Sequence, residues 1–384
     1  MSGWDALMVE DNVGQRFLLF IGRLGGGGAE RVFVEYANGL SEAGAEVHLV
    51  CLEGGGYEVD LVGGVQLYKL GTRMRKAGFP LLRVVRQIRP DVLLSGLTGA
   101  NLVASGVGRL AGVPEIWVSI HNDLRSEGAK QKASFAGLEA AATKMACKLS
   151  TSVIAVSEGV AEFLVQAGHA QRRSISVIYN PIYHDRIGEL ANASLPEPVW
   201  EKLGTGQPYL VAAGRLERQK GFDLLVEAYR RTGLQKRGVQ LLILGEGSER
   251  GALAKQVADS GLSSSVHLPG FVDNPYAVFS KAQGFILSSR WEGFGNVLVE
   301  ALACGTPVVA FDCPSGPAEV LGETPGCVIV PAGDLEKLAE AMRDLGISGK
   351  PTEGAKERIN RARCFSRKEA AQMLLQQLPN ERPS

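Results

Sequence analysis

Short apolar runs alternate with longer stretches of helical periodicity along nearly the whole chain, the pattern of parallel strands covered by helices. In the first half the runs FLLFIG (17–22), EVHLVCL (46–52), VQLYKL (65–70), DVLLS (91–95), EIWVSI (115–120), SVIAVS (152–157) and SISVIYN (174–180) read as strands. Helical spacing falls between most of them, at 29–43, 79–89, 99–111 and 129–149. The rhythm restarts with PYLVAAG (208–214), VQLLILG (239–245), SVHLPG (265–270), GFILSS (284–289) and PVVAF (307–311). Helices are expected there near 220–233, 248–260, 295–303 and 333–345. Between the halves, about 181–207 mixes Pro, Gly and polar residues without clear periodicity and reads as a linker. The expected fold is α/β, with two Rossmann-like, doubly wound parallel-sheet domains facing each other across a cleft. The first would span 1–185 and the second 186–384, with a C-terminal helix at about 366–378 that can pack back on the first domain. The terminal NERPS reads as a frayed tail.

Composition narrows the classes. The 384 residues suffice for two domains, and 45% hydrophobic content gives each a core. Forty-one basic and forty-one acidic residues cancel, so no global charge points to nucleic acid. Six cysteines, with no C-x-x-C pair and no metal-like His/Cys spacing, read as reduced thiols of a cytosolic protein. The polar, acidic stretch MSGWDALMVEDNVGQR (1–16) is unlike a signal peptide, and no apolar run reaches membrane-spanning length. The expected location is the cytoplasm, with peripheral attachment to the cytoplasmic face of a membrane as an added option.

In parallel sheets ligands bind in the loops beyond the carboxyl ends of the strands. After the first strand, Gly22-Arg23-Leu24-Gly25-Gly26-Gly27-Gly28 lets a backbone approach a ligand closely and leads into a helix whose free N–H groups suit an anion. A plain connecting turn is the bland alternative. A nicotinamide dinucleotide site is the rival, because Glu53 ends the second strand where a ribose-binding acid would stand; however, no G-x-G-x-x-G is present. After the strand at 208–214, Arg215 and Lys220 bracket a tight loop, where two cations could neutralise a diphosphate. After the strand at 284–289, Glu292 lies in a Gly-rich loop and Glu300 in the apolar helix that follows. A carboxylate there can accept two sugar or ribose hydroxyls, whereas a lone acid on a helix is ordinarily a solvated one.

Glu292 and Glu300 stand in an E-x7-E spacing, and with GRL-x4-KG (214–221) they resemble the retaining GT-B glycosyltransferases of family GT4. The resemblance covers nearly the whole chain. It includes GGAERV near the N-terminus, AVSEGV (155–160), VIYNPI (177–182), LGEGSER (244–250) and EGFGNVLVEALACGTPVV (292–309). The stretch DCPSGPAEVL (312–321) is similar to members that extend lipid-linked or surface glycans. The resemblance implies a retaining hexosyl- or N-acetylhexosaminyltransferase that uses a nucleotide-sugar donor, with UDP the favoured nucleotide. The implied acceptor is a glycan hydroxyl, with polyprenyl-diphosphate-linked oligosaccharides and surface polysaccharides as candidates. It also implies roles: Arg215 and Lys220 on the donor diphosphate, Glu300 on the ribose, Glu292 on the donor sugar. Backbone N–H groups of Phe294, Gly295 and Asn296 would lie near the sugar and phosphates, Gly27 and Gly28 would close on the diphosphate from the other domain, and His121 would face the donor sugar. The absence of a D-x-D motif agrees with chemistry that needs no metal or other cofactor. An NAD(P)-dependent oxidoreductase, a catalytically silent nucleotide-sugar-binding protein and a sugar-nucleotide epimerase remain as alternatives.

One segment stands outside these motifs. Residues 69–89, KLGTRMRKAGFPLLRVVRQIR, carry Lys69, Arg73, Arg75, Lys76, Arg83, Arg86 and Arg89 and no acid. Helical spacing puts Leu81, Leu82, Val85 and Ile88 on one face. An ordinary helix covering the sheet, with solvated arginines, and a patch that docks on an anionic membrane surface both fit this pattern.

Overall fold

The computed structural model describes residues 14–121, 133–203, 206–349 and 353–379. The expectations for residues 1–13, for 129–132 of the fourth helix, for 204–205 of the linker and for the NERPS tail lie outside the described residues.

The chain divides into two compact units, one of residues 1–182 with 366–384 and one of residues 183–365. Unit 1 holds seven parallel strands: β1 (Arg16–Arg23), β2 (Glu46–Glu53), β3 (Val65–Lys69), β4 (Val92–Gly96), β5 (Glu115–Ile120), β6 (Ser152–Ala155) and β7 (Ile175–Val177), in the order β3-β2-β1-β4-β5-β6-β7. Its crossover helices are α1 (Gly28–Glu42), α2 (Gly78–Ile88), α3 (Thr98–Ala111), α4 (Ala133–Leu149) and α5 (Glu158–Gln166). The central strands are buried on both faces, which is why they read as unbroken apolar runs. On one face, Leu18, Phe20, Val50 and Leu93 pack against Leu81, Val85, Ala100 and Ala104 of the covering helices.

In unit 2, α6 (Arg186–Ala191) and α7 (Glu197–Leu203) precede six parallel strands. These are β8 (Tyr209–Ala213), β9 (Gln240–Leu244), β10 (Val266–Gly270), β11 (Gly284–Leu287), β12 (Val308–Asp312) and β13 (Cys327–Pro331), in the order β10-β9-β8-β11-β12-β13. The remaining helices of this unit are α8 (Phe222–Thr232), α9 (Arg250–Asp259), α10 (Pro275–Lys281), α11 (Asn296–Ala303), α12 (Pro317–Leu321), α13 (Leu335–Ser348) and α14 (Ala355–Arg363). The last helix, α15 (Arg367–Leu375), belongs to unit 1 and packs on α1. There Gly39 lies so close that a Cβ would stand 2.6 Å from the Arg367 carbonyl, and the Arg367 guanidinium pairs with the Glu35 carboxylate at 3.0 Å.

The stretch expected to be a linker contains α6 and α7. Each is too short to show a period, and unit 2 holds them by tertiary contact: Ile187, Ala191, Val199 and Leu203 are buried. Side chains from α10 and its N-cap take up the free carbonyls at the end of α6. Asn274 donates to Leu190 O at 2.9 Å, Ser280 to Ala191 O at 2.6 Å and Lys281 to Ala193 O at 2.6 Å.

Candidate active site

In unit 2, β8 lies beside β11, and the chain proceeds from β8 through β9 and β10 in one direction and through β11, β12 and β13 in the other. The loops leaving β8 and β11 therefore diverge at a topological switch point, the place where open parallel sheets bind ligands. Those two loops carry Arg215, Lys220 and Glu292.

Five contacts fasten the loops together. Ser288 Oγ donates to Lys220 O at 2.9 Å, Arg290 N to Gln219 O at 2.8 Å and Gln219 Nε2 to Trp291 O at 3.0 Å. The Arg290 guanidinium donates to Arg218 O at 2.9 Å and grips both Asp223 oxygens at 2.7 and 2.6 Å. Burial pushes the Asp223 carboxyl up, but the hydrogen bonds and charge of Arg290 outweigh it and leave the pKa below the usual carboxylate value. Gly221 makes the approach possible. Its φ is 62°, and a Cβ would lie 2.1 Å from the Ser288 carbonyl.

The result is a buried ion pair. Lys220 Nζ lies 2.7 Å from Glu292 Oε1, and Ser289 Oγ donates to the same oxygen at 2.6 Å. The side chains are only 16% and 6% exposed. Oε2 is left without a hydrogen-bond partner among the described residues. Arg215 is exposed, and its guanidinium has no partner among the described residues. The Lys220 stem packs 3.3 Å from where a Cβ on neighbouring Gly214 would be. Beyond Glu292, Gly295 takes φ 88° to turn the chain into α11, whose first residue is Asn296. Phe294 is buried edge-on against Phe365, and Gly316 presses on its carbonyl. Glu300 is half-buried in the second half of α11.

Unit 1 has its own switch point, between β1 and β4. Gly27 caps α1 and Gly28 begins it, after Gly26 at φ 90°. The Glu30 carboxylate already lies over Gly27, within 1.9 Å of where a Cβ would be, and pairs loosely with Arg23 at 3.8 Å. An anion approaching this helix terminus would meet Glu30 first. Beyond β4, Leu97 adopts φ 72° to enter α3, a strained conformation for a branched side chain.

His121 follows β5 at the end of a polar chain. Ser95 Oγ donates to Asn101 Oδ1 at 2.8 Å, Asn101 Nδ2 to Ser119 O at 2.9 Å, and Ser119 Oγ lies 3.1 Å from His121 Nε2. The ring also packs 6.0 Å from that of Phe33 on α1. Desolvation by burial lowers its pKa to about 4. It is therefore a neutral hydrogen-bonding group at physiological pH rather than a fixed cation.

Thus Lys220 and Glu292 are in direct contact, Arg215, Phe294, Gly295, Asn296 and Glu300 lie on the same two loops and the helix after them, and Gly27, Gly28 and His121 belong to unit 1. Ser289, Arg290, Asp223 and Gln219 were not marked by any motif. Their partners are local or about seventy residues away, and only the strand order brings the two loops together. Among the described residues no group of three or more His, Cys, Asp or Glu side chains is arranged to hold a metal ion.

Comparison with known proteins agrees with this architecture. Residues 26–186 match glycosyltransferase family 4, and residues 207–346 match the glycosyl transferases group 1. The lipopolysaccharide core biosynthesis glycosyltransferase LpsE of Rhizobium meliloti is 28% identical over 331 residues, 83% of this chain and 85% of that protein. The N-acetylgalactosamine-N,N'-diacetylbacillosaminyl-diphospho-undecaprenol 4-alpha-N-acetylgalactosaminyltransferase of Campylobacter jejuni is 30% identical over 223 residues, 58% of each chain. Among solved structures, Anabaena HepE in complex with UDP and glucose superposes with a TM-score of 0.75 at 21% identity, covering 94% of this chain and 98% of the other. Two parallel-sheet domains with these matches define a GT-B glycosyltransferase. Within that class the chain is of the GT4 type.

Proposed function

We propose that the protein transfers a sugar, with retention of anomeric configuration, from a nucleoside-diphosphate sugar to a glycan hydroxyl. The observation that carries this reading is the buried Lys220–Glu292 pair beside the unpartnered Arg215 at the switch point of unit 2. Breaking the bond between the anomeric carbon and phosphate leaves a cationic carbon and an anionic diphosphate, and Arg215 with Lys220 supplies countercharge to the latter. Glu292, held through Oε1, offers Oε2 to the hydroxyls of the donor sugar. Glu300 accepts from the ribose, and the N–H groups of Phe294, Gly295 and Asn296 address the sugar and phosphates. The acceptor oxygen bonds to the anomeric carbon on the face the diphosphate leaves, and its proton passes to the departing phosphate oxygen. Within unit 1, Gly27, Gly28 and His121 remain the candidate donor-side residues, His121 as a neutral hydrogen-bonding group.

UDP is the favoured nucleotide, supported by the resemblance and by the UDP bound in HepE. A lipid-linked or surface-glycan acceptor is supported by the names of the Rhizobium and Campylobacter relatives. The reading routes no step through a metal, so turnover should survive a chelator. The test is donor turnover with an acceptor panel, followed by NMR of the new glycosidic bond. An α-linked donor should give an α-linked product. A β-linked product would overturn retention, and the absence of transfer with every sugar nucleotide would overturn the reading itself.

A further inference from the structure

The basic segment of unit 1 is a block of charge that has little counter-charge among the described residues. From residue 61 to residue 90 the sequence holds no acid. Lys69 is paired with Glu58 at 2.6 Å and drops out of the group. Arg73, Arg75, Lys76, Arg83, Arg86 and Arg89 are all exposed, and no side chain among the described residues forms an ion pair or hydrogen bond with any of their charged groups. Elsewhere in the molecule exposed cations commonly have carboxylate partners, as in Arg172–Glu158, Arg230–Glu227, Arg250–Glu246 and Lys255–Asp259.

Two further observations say what the patch suits. Phe79, in the first turn of α2, is 69% exposed although the helix buries Leu81, Val85 and Ile88 in the core, and Arg83 lies over its ring at 5.6 Å. An aromatic ring among free cations has the composition of an interfacial membrane contact. The patch also has a fixed place on the domain. The Met74 side chain reaches to 3.8 Å from where a Cβ on Gly22 would be, at the end of β1, and to 3.3 Å from one on Gly99, in the first turn of α3. The turn carrying Arg73, Arg75 and Lys76 therefore sits at the carboxyl ends of the strands, the same end as the glycine-rich loop and His121.

We propose that Arg73, Arg75, Lys76, Arg83 and Phe79 form a docking surface for an anionic lipid bilayer, which turns the carboxyl ends of the unit 1 strands toward the lipid. Arg86 and Arg89, further along α2, add long-range attraction. The proposal is independent of the transferase reading, because vesicle binding requires neither donor nor turnover.

The test is sedimentation of the full chain with vesicles of phosphatidylcholine alone or mixed with phosphatidylglycerol. Recovery in the pellet should rise about tenfold with the anionic lipid, fall at high salt, and be lost in the R73E/R75E/K76E/R83E variant while its melting temperature holds. Orientation is read separately with brominated lipids. A tryptophan at Phe79→Trp should be quenched, and one at Leu110→Trp, exposed at the far end of α3, should not. If the quadruple variant does not fold, Phe79→Ser together with the salt dependence gives the same answer. Equal recovery with neutral and anionic vesicles, quenching at Leu110 instead of Phe79, or binding of soluble polyphosphate without binding of vesicles would overturn the proposal.

Discussion

Lys220 illustrates how much a contact changes the meaning of a residue. As one of two cations bracketing a loop, it is expected to act on the diphosphate with little bearing on folding. The structure makes it the counter-charge of a buried carboxylate as well. Removing one partner of such a pair costs about 3–5 kcal/mol, since the other charge stays buried alone. Lys220→Ala should therefore lower both turnover and melting temperature, whereas exposed Arg215→Ala should lower turnover by roughly 30- to 1,000-fold with stability kept. In a Lys220→Met/Glu292→Gln double variant, stability should return toward wild type while turnover stays lost. Urea unfolding beside initial-rate kinetics separates the two, and a fully stable Lys220→Ala would contradict the pair. His121 makes a prediction about pH. Desolvation lowers its folded pKa to about 4, below the usual 6.5 of a free imidazole, so between those values the unfolded chain binds the extra proton and stability falls as pH falls. His121→Asn should flatten that part of the stability–pH curve. An unchanged slope would mean the imidazole is not desolvated. The positions of Arg215, Lys220 and Glu292 were legible because each follows an apolar run. Ser289 as the second anchor of Glu292 was not, since a serine before a glycine-rich loop has no distinguishing pattern.

Among the elements, those with enough residues to show a period were legible to within a few positions, as with β1, β2, α2 and α8. Short or edge elements were not. β13 was missed because it is an edge strand of five residues with only Val330 fully buried, so its pattern does not alternate cleanly. The run at 174–180 shrinks to three residues in β7, where pairing is available from β6 alone. α5 and α10 begin on side-chain caps, Ser157 accepting from Val160 N and Asn274 from Ala277 N, but are only nine and seven residues long. The fastening of the two site loops is also an element-scale fact, and two substitutions test it. Gly221→Ala places a Cβ against the Ser288 carbonyl at a positive φ, and should cost more than about 1 kcal/mol and weaken donor binding. Arg290→Ala removes the grip on Asp223 and Arg218, and should depress kcat more than donor affinity, with partial rescue by Lys. If both variants keep wild-type kinetics, the fastening has no part in the site.

At the scale of the molecule, the two-domain plan was legible from the restart of the strand rhythm near 208, and α15 lies on α1 where the sequence placed a C-terminal helix at about 366–378 that can pack back on the first domain. Crossing at residue 183 and returning at 366 depends on α15 finding α1, a contact across more than three hundred residues. Its buried Leu374 and Leu375 contribute about 3–6 kcal/mol to unit 1 on burial of their side chains. Truncation after Phe365 should consequently lower the unfolding midpoint of unit 1 while leaving that of unit 2 nearly unchanged, as followed by calorimetry. The central claim concerns the other unit, and a thermal-shift panel tests it most directly. Wild-type protein and Arg215→Ala are melted with UDP, GDP and ADP, with their common sugar conjugates, and with NAD(P) as a competitor class. Mass action raises the melting temperature for whatever binds the native state. One nucleoside-diphosphate series should stabilise the wild type, and Arg215→Ala should lose most of that shift. Stabilisation by NAD(P) alone, or an equal nucleotide shift in both proteins, would contradict the assignment of this site.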